Sequence, residues 1–307
     1  MAFLNLIRWK NLLIIALVQL LIKYTLLEPF IEITGLSTTL KPIGFITLVL
    51  ATLCIAAAGY IINDIYDTTA DSINRPEKLI VGISISEKVA TRWFIALNVI
   101  GVGLGYLISS QIGKSDFFAI FIIISGMLYL YSAYLKQYLF IGNIVISAFV
   151  ALSILLVGIY DLLPGLNGAN REMQLTFFDI ILDYAFFAFL INLLREMVKD
   201  IEDTKGDKAA GYRTIATQFG VTISKYICLG LSLLNTALII AYLIEYFYKN
   251  NALVIYFLIL IIAPLLFISV RLLQAKETIH YSRISSLLKV IMLTGVCSMI
   301  VFNLTQS

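Results

Sequence analysis

Two acidic segments of the chain share one spacing, and each follows a long apolar stretch. The aspartates are Asp64, Asp67 and Asp71 in the first segment and Asp200, Asp203 and Asp207 in the second. Residues three or four positions apart share a helix face, so each set would converge and repel unless cations neutralise it. Mg²⁺ is commonly held by a few carboxylates together with phosphate oxygens. The repeated pattern D-x-x-D-x-x-x-D therefore predicts a site for divalent metal and a polyphosphate.

Basic residues lie among these acids and suit the same chemistry. Arg75 follows the first segment and Lys199 precedes Asp200, so both are candidates for contacting phosphate oxygens that a metal leaves free. A single acidic stretch at a helix end is usually only a solvated cap. Two copies with identical spacing argue against that interpretation. Gly206 predicts that the second helix frays near Asp207.

Composition places these segments in a membrane protein. Hydrophobic residues make up 60% of the 307 residues and charged residues only 13%, and the mean hydropathy is +0.95. Soluble domains carry about 25% charged residues. We therefore expect the lipid bilayer as a partner. Nucleic acid is not expected as a partner, because the chain lacks a basic run with interleaved aromatic residues.

Apolar runs long enough to cross a bilayer as helices predict the fold class, an all-α membrane protein with nine transmembrane helices. We expect a single domain over residues 1–307, built of two similar halves at about 1–135 and 136–307. The predicted spans are approximately 11–30, 42–63, 91–110, 116–135, 141–161, 177–198, 223–246, 252–274 and 285–304.

The distribution of basic residues predicts the orientation. With the N-terminus in the cytoplasm, 17 of the 22 lysines and arginines fall on the cytoplasmic side. Both acidic segments then lie on that side, because they follow the second and sixth spans. The sequence thus predicts an integral, multi-pass protein with its active site facing the cytoplasm. In a bacterial cell this would be the inner membrane.

The paired motifs resemble those of the UbiA superfamily of intramembrane prenyltransferases, over nearly the whole chain. They read Asn63-Asp64-x-x-Asp67-x-x-x-Asp71 and Asp200-x-x-Asp203-x-x-x-Asp207. The resemblance implies nine helices around a central cavity, and transfer of a prenyl group from a prenyl diphosphate to a lipophilic acceptor. It also implies Mg²⁺ as the cofactor, bound by the six aspartates.

Smaller elements support the same resemblance. Arg8 and Asn11 are similar to the family's R-P-x-N, with Trp9 in place of the proline. Tyr131 and Lys136, followed by Gly142-Asn143, are similar to its tyrosine and lysine element after the fourth helix, although the spacing is one residue longer. The resemblance therefore implies a catalytic role for Lys136 together with the aspartates. It implies substrate contacts for Asn11, Asn63, Arg75, Tyr131, Asn143 and Lys199.

The second motif indicates a branch of the superfamily. The run from Arg195 to Gly211 resembles the branch that contains geranylgeranylglyceryl phosphate, chlorophyll and homogentisate prenyltransferases. Ile73-Asn74-Arg75-Pro76 is similar to the ether-lipid members, the digeranylgeranylglyceryl phosphate synthases. We expect geranylgeranyl diphosphate as the donor and geranylgeranylglyceryl phosphate as the acceptor.

Two alternatives remain open from the sequence. One is an aromatic acceptor of quinone biosynthesis, such as 4-hydroxybenzoate, homogentisate or a naphthoate. The other is a transporter of a phosphorylated substrate, since intramembrane carboxylates also form ion pathways. The acids cluster at one end of the spans and do not continue across them, which favours the enzyme.

Overall fold

The protein is described by a computed structural model that covers residues 1–306. Within that range, nine helical segments are long and apolar enough to cross a membrane, so the predicted number is confirmed. We label them in chain order: α1 Trp9–Thr34, α2 Pro42–Tyr66, α3 Glu87–Gln111, α4 Ser115–Ala133, α5 Ile141–Gly165, α6 Arg171–Glu202, α7 Ile215–Phe247, α8 Asn251–Gln274 and α9 Thr278–Thr305. Seven of them carry mean hydropathies of 1.8 or more over an 18-residue window, which makes burial in lipid favourable along their length.

Contacts divide the chain into two compact units. Unit 1 consists of Met1–Lys136 and Leu152–Ile181, and unit 2 consists of Gln137–Ala151 and Leu182–Ser307. The helices α5 and α6 therefore each contribute residues to both units. Unit 1 contains the first acidic segment, and unit 2 contains the second.

Close helix contacts hold unit 1 together. Gly101 of α3 packs against Ile55 of α2, and a Cβ at this position would lie only 2.8 Å from the Ile55 side chain. Gly105 likewise lies against the Phe121 ring, where any side chain would overlap it. In a bilayer, small residues of this kind allow helix backbones to approach closely and gain dispersion contacts.

A buried ion pair links α1 to α5 within unit 1. Lys23 lies in a π-helical turn, Ile22–Leu27, and its Nζ is 2.8 Å from Asp161 Oδ2. The lysine also donates to the Leu40 carbonyl, and the Leu40 N–H donates to Asp161 Oδ1 at 2.8 Å. Because both charged side chains are essentially inaccessible to solvent, these partners are what make their burial tolerable.

A small apolar cluster in unit 1 fixes the segments that flank the first acidic segment. It contains Leu6 of the N-terminal helix Ala2–Leu6, Ile61 of α2, Val81 of the connection after it and Ala90 of α3. All four are almost fully buried. The cluster thereby holds the N-terminal helix and the α2–α3 connection against the end of α2.

Unit 2 has a larger aliphatic core. Leu194 of α6, Leu265 of α8 and Leu288 of α9 are fully buried members of it. The helix α7 is preceded by an N-cap, Thr214, and its backbone breaks at Gly220, which has a φ of 78°. The core fixes the end of α6, which carries the second acidic segment.

Candidate active site

Both acidic segments bend at their second aspartate. The helix α2 ends at Tyr66, Asp67 has φ −90° and ψ 2°, and a short helix Thr68–Asn74 follows. In unit 2 the helix α6 ends before Asp203, which has φ −93° and ψ 4°, and the short helix Thr204–Ala209 follows. The expected fraying near Asp207 is wrong, because that residue lies inside the short helix and is buried. Each helix is interrupted at its second aspartate, but the N–H of the third aspartate still donates to the backbone carbonyl of the second.

The first aspartate of unit 1 is paired with an arginine from the N-terminus. Arg8 Nη2 donates to Asp64 Oδ1 at 2.7 Å. Arg8 is in the left-handed region with φ 51°, a conformation that costs energy for a residue with a Cβ. Burial alone would lower the pKa of its guanidinium, but the charges of Asp64, Tyr60 and Asp67 and the hydrogen bond to Asp64 together raise that pKa above its usual value. The sequence indicated Arg8 through its similarity to the R-P-x-N motif, and Arg8 was not among the predicted site residues.

The second aspartate of unit 1 is contacted from two sides. Lys136 Nζ lies 2.6 Å from Asp67 Oδ1, and Asn63 Nδ2 donates to Asp67 Oδ2 at 2.7 Å. The side chain of Lys136 is only 9% exposed. Within residues 1–306, the buried Oδ1 of Asn63 accepts no hydrogen bond, so it remains available to a further donor or cation. The structure thus brings together Asn63, Asp67 and Lys136, three residues selected from the sequence.

Aromatic rings cover the two cations of this cluster. The Arg8 guanidinium carbon lies 5.1 Å from the centre of the Tyr60 ring, and Lys136 Nζ lies 6.0 Å from that of Tyr66. Such contacts each contribute about 0.5–2 kcal/mol. They hold both cationic groups in place beside the carboxylates.

In unit 2 the first aspartate is held by an amide. Asn143 Nδ2 donates to Asp200 Oδ2 at 2.9 Å, and Asn143 is buried. The backbone carbonyl of Asn143 accepts from the Ser147 hydroxyl, which in turn accepts from Asn192 Nδ2 at 3.1 Å. The amide of Asn143 on α5 thus holds the Asp200 carboxylate on α6 directly, and the Ser147–Asn192 contacts involve only the Asn143 backbone.

Lys199 contacts a glutamate of its own helix. Its Nζ lies 3.2 Å from Glu196 Oε2, and Arg195 pairs with the other oxygen of the same glutamate. Glu196 was not among the site residues predicted from the sequence. Its position one helical turn before Lys199 was the available signal, because i,i+3 charge pairs meet on a helix.

The remaining predicted residues occupy defined positions. Asn11 donates its N–H to the Arg8 carbonyl at 2.7 Å, and Arg75 donates its own to the Asp71 carbonyl at 2.9 Å. Tyr131 is half-buried in the last turns of α4. In unit 2, Asp207 accepts at its carbonyl from the Tyr212 N–H at 2.8 Å. These contacts fix the backbone around the acidic segments.

The oxygen ligands of the first acidic segment suit a hard cation that binds together with a substrate phosphate. Among residues 1–306, no group of three or more histidine, cysteine or acidic side chains is close enough to hold a metal by itself. Mg²⁺ is usually bound by one or two carboxylates together with waters and substrate phosphates. The carboxylates of Asp64 and Asp67, with the unsatisfied Oδ1 of Asn63, are oxygen ligands of the kind it prefers.

A comparison with family models decides the classification. The model of the UbiA prenyltransferase family matches residues 34–284. The chain belongs to this family. As a UbiA protein it is a prenyltransferase and an integral multi-pass membrane protein, so the predicted enzyme class is confirmed.

Individual relatives and solved structures are similar to the chain over most of its length. The chain is 31% identical over 258 residues to a digeranylgeranylglyceryl phosphate synthase of Methanosphaera stadtmanae, which covers 82% of this chain and 86% of that protein. A solved structure concerned with digeranylgeranylglyceryl phosphate synthase aligns with a TM-score of 0.62 and 24% identity, over 97% and 98% of the two chains. An Archaeoglobus fulgidus UbiA homologue bound to DMAPP and Mg²⁺ aligns with a TM-score of 0.57 and 18% identity, over 98% and 99%. These structures confirm the all-α membrane fold.

Proposed function

We propose that the protein transfers a geranylgeranyl group from geranylgeranyl diphosphate to geranylgeranylglyceryl phosphate in a Mg²⁺-dependent reaction. Its relatives that are named digeranylgeranylglyceryl phosphate synthases support this acceptor. The Archaeoglobus fulgidus homologue with DMAPP and Mg²⁺ supports an allylic diphosphate donor and the metal. The observation that carries the proposal is the cluster of Asn63, Asp67 and Lys136, which joins oxygen ligands to a nearly buried cation.

Both acidic segments act on one donor diphosphate in this proposal. When bound, Mg²⁺ supplies positive charge to the diphosphate oxygens and lowers the barrier to their departure. The metal would be held by the aspartates of the two segments: Asp64, Asp67, Asp71, Asp200, Asp203 and Asp207. Asn143 keeps the Asp200 carboxylate in one orientation through its 2.9 Å hydrogen bond.

Lys136 binds the leaving group. Its ammonium pairs with Asp67 and would contact a diphosphate oxygen of the bound donor. Preorganised cations of this kind stabilise charge that grows during bond cleavage. Arg8 acts in the same way beside Asp64. Asn11, Arg75 and Tyr131 line the donor, and Lys199 contributes charge from α6.

The reaction breaks one bond and forms one. The C1–O bond of the donor breaks, and its electron pair leaves with the diphosphate. The hydroxyl oxygen of the acceptor bonds to C1, and the hydroxyl proton passes to water or to the released diphosphate. Because C1 becomes cation-like before it is attacked, a weak base is sufficient.

The active site faces the cytoplasm in this proposal. The excess of lysine and arginine on the side of the N-terminus supports that orientation. Both substrates carry anionic head groups and apolar chains, so both reach such a site from the membrane surface.

The test is an acceptor panel with purified protein in detergent. Geranylgeranyl diphosphate is offered with geranylgeranylglyceryl phosphate, 4-hydroxybenzoate, homogentisate or a naphthoate, and product and released diphosphate are measured. We expect product with the glyceryl phosphate and loss of product with EDTA. Product only with an aromatic acceptor would overturn the proposed acceptor. Uptake of substrate by proteoliposomes without bond cleavage would overturn the enzyme.

A further inference from the structure

A cavity in unit 2 is lined by residues that belong to neither acidic segment. It occupies about 210 Å³ at the turn between α8 and α9. Its polar wall contains Arg271, His280 and Arg283, and its apolar wall includes Phe267, Ile284 and Leu287. The transfer reaction proposed above uses none of these residues.

Both arginines of the cavity are available to a ligand. Arg271 and Arg283 are exposed, and within residues 1–306 neither forms an ion pair or side-chain hydrogen bond. The Arg271 guanidinium carbon lies 5.1 Å from the centre of the Phe267 ring. Stacking uses the face of the guanidinium and leaves the N–H groups at its edge free, which is the arrangement that binds phosphate oxygens in pairs.

His280 adds a third donor. Its Nδ1 accepts the backbone N–H groups of Lys276 and Glu277, each at 3.3 Å. A neutral imidazole that accepts at Nδ1 carries its proton on Nε2, which makes Nε2 a donor. The histidine therefore both holds the backbone just before α9 and offers a hydrogen bond to the cavity that it lines.

The apolar wall distinguishes a lipid from a soluble anion. Phe267 is 50% exposed on α8, a helix whose mean hydropathy of 3.0 is the highest of the nine in residues 1–306. The cavity thus joins a cationic end to an exposed apolar side chain on a helix that is long and apolar enough to cross a membrane. Basic pockets between transmembrane helices, at the level of the head groups, bind anionic lipid head groups.

We propose that this cavity binds the phosphate head group of an anionic membrane lipid, with Arg271 and Arg283 on the phosphate and Phe267 against the first carbons of a chain. His280 donates to a remaining phosphate oxygen. The site is separate from the one that performs prenyl transfer, and the lipid bound there is not consumed.

Native mass spectrometry in detergent tests the proposal. Phosphatidylglycerol, phosphatidylcholine with the same chains, and water-soluble glycerol phosphate are titrated separately into the full chain. We expect one molecule of phosphatidylglycerol to bind more tightly than any further molecules of that lipid. The double variant R271Q/R283Q should weaken the binding of this first molecule by about 30-fold. Each basic residue near an anionic lipid contributes about 1 kcal/mol, and 1.4 kcal/mol is a factor of ten.

The same measurement is made on a control variant that loses the same number of charges and on a second variant of the cavity wall. The double variant K88Q/R92Q also removes two exposed positive charges, at the start of α3, and should bind the lipid as the wild type does. Leu287→Trp fills the cavity while keeping both arginines and should also weaken the binding.

Three results would overturn the proposal: an equal loss in K88Q/R92Q, unchanged binding in both cavity variants, or equally tight binding of phosphatidylcholine or of glycerol phosphate. Retained prenyl transfer by R271Q/R283Q shows that the variant is folded and that the site is distinct. If that variant does not fold, Leu287→Trp alone decides between loss and retention of binding.

Discussion

Lys136 Nζ lies 2.6 Å from Asp67 Oδ1, and the aspartate is the residue at which the first acidic segment bends. The Asp67 side chain is only 18% exposed, and an opposite charge beside it offsets part of the cost of removing a carboxylate from water. The lysine supplies that charge, and it comes from the short connection after α4, 69 residues away in the chain. The same ammonium is therefore placed to stabilise the carboxylate and, in the proposed reaction, the leaving diphosphate.

Lys136→Met should lower kcat by about 10²–10³-fold, because one preorganised charge donor is removed from the leaving group. Lys136→Arg should recover part of the loss. The measurement is the rate of diphosphate release at saturating donor. Lys88→Met, which removes an exposed lysine at the start of α3, is the control and should retain full activity. Equal rates for Lys136→Met and wild type would contradict the role of Lys136.

Asn143→Ala should raise the Mg²⁺ concentration for half-maximal activity by about tenfold or more, because residues that orient metal ligands affect affinity by 10–100-fold. The hydrogen bond from Asn143 Nδ2 to Asp200 is the physical reason. Asn192→Ala removes another buried amide of the same network without touching Asp200, and it should leave the Mg²⁺ dependence unchanged. A shared shift in both variants would indicate general loosening of the helices.

Mg²⁺ and the donor should stabilise the protein together more than separately. The acidic side chains form no three-residue metal group in residues 1–306, so the diphosphate oxygens complete the coordination. We expect the thermal unfolding temperature to rise with Mg²⁺ and an unreactive diphosphate analogue by more than the sum of the two separate shifts. EDTA should abolish the difference. A full shift with Mg²⁺ alone would mean that the protein holds the metal unaided.

Lys23→Met should destabilise the protein by about 3–5 kcal/mol, because it leaves the Asp161 carboxylate buried without its cation. Asp161→Asn keeps an oxygen acceptor for the Leu40 N–H, and combined with Lys23→Met it should recover part of that loss. Thermal unfolding in detergent measures both effects. Additive losses in the double variant would show that the pair is not coupled. Activity per folded molecule should not change.

The sequence predicted the number of spans and the cluster of Asn63, Asp67 and Lys136, because apolar length and motif resemblance carry that information. It did not predict the bends at Asp67 and Asp203, since helical periodicity assumes that a helix continues. It did not predict the contact between Lys199 and Glu196, and the role of Lys199 at a phosphate stays a prediction. Lys23 and Asp161 are 138 residues apart, and no local pattern signals a pairing of that length.

The most direct test of the central claim compares Asp67→Asn, Asp203→Asn and the double variant, one substitution from each acidic segment. Product formation from geranylgeranyl diphosphate is measured at saturating Mg²⁺. If both segments act on one diphosphate, each single substitution lowers kcat by about 10²-fold or more, and the double variant loses little beyond the worse single one, because residues that act as a unit are not additive. Full activity in either single variant, or losses that multiply in the double variant, would contradict the account.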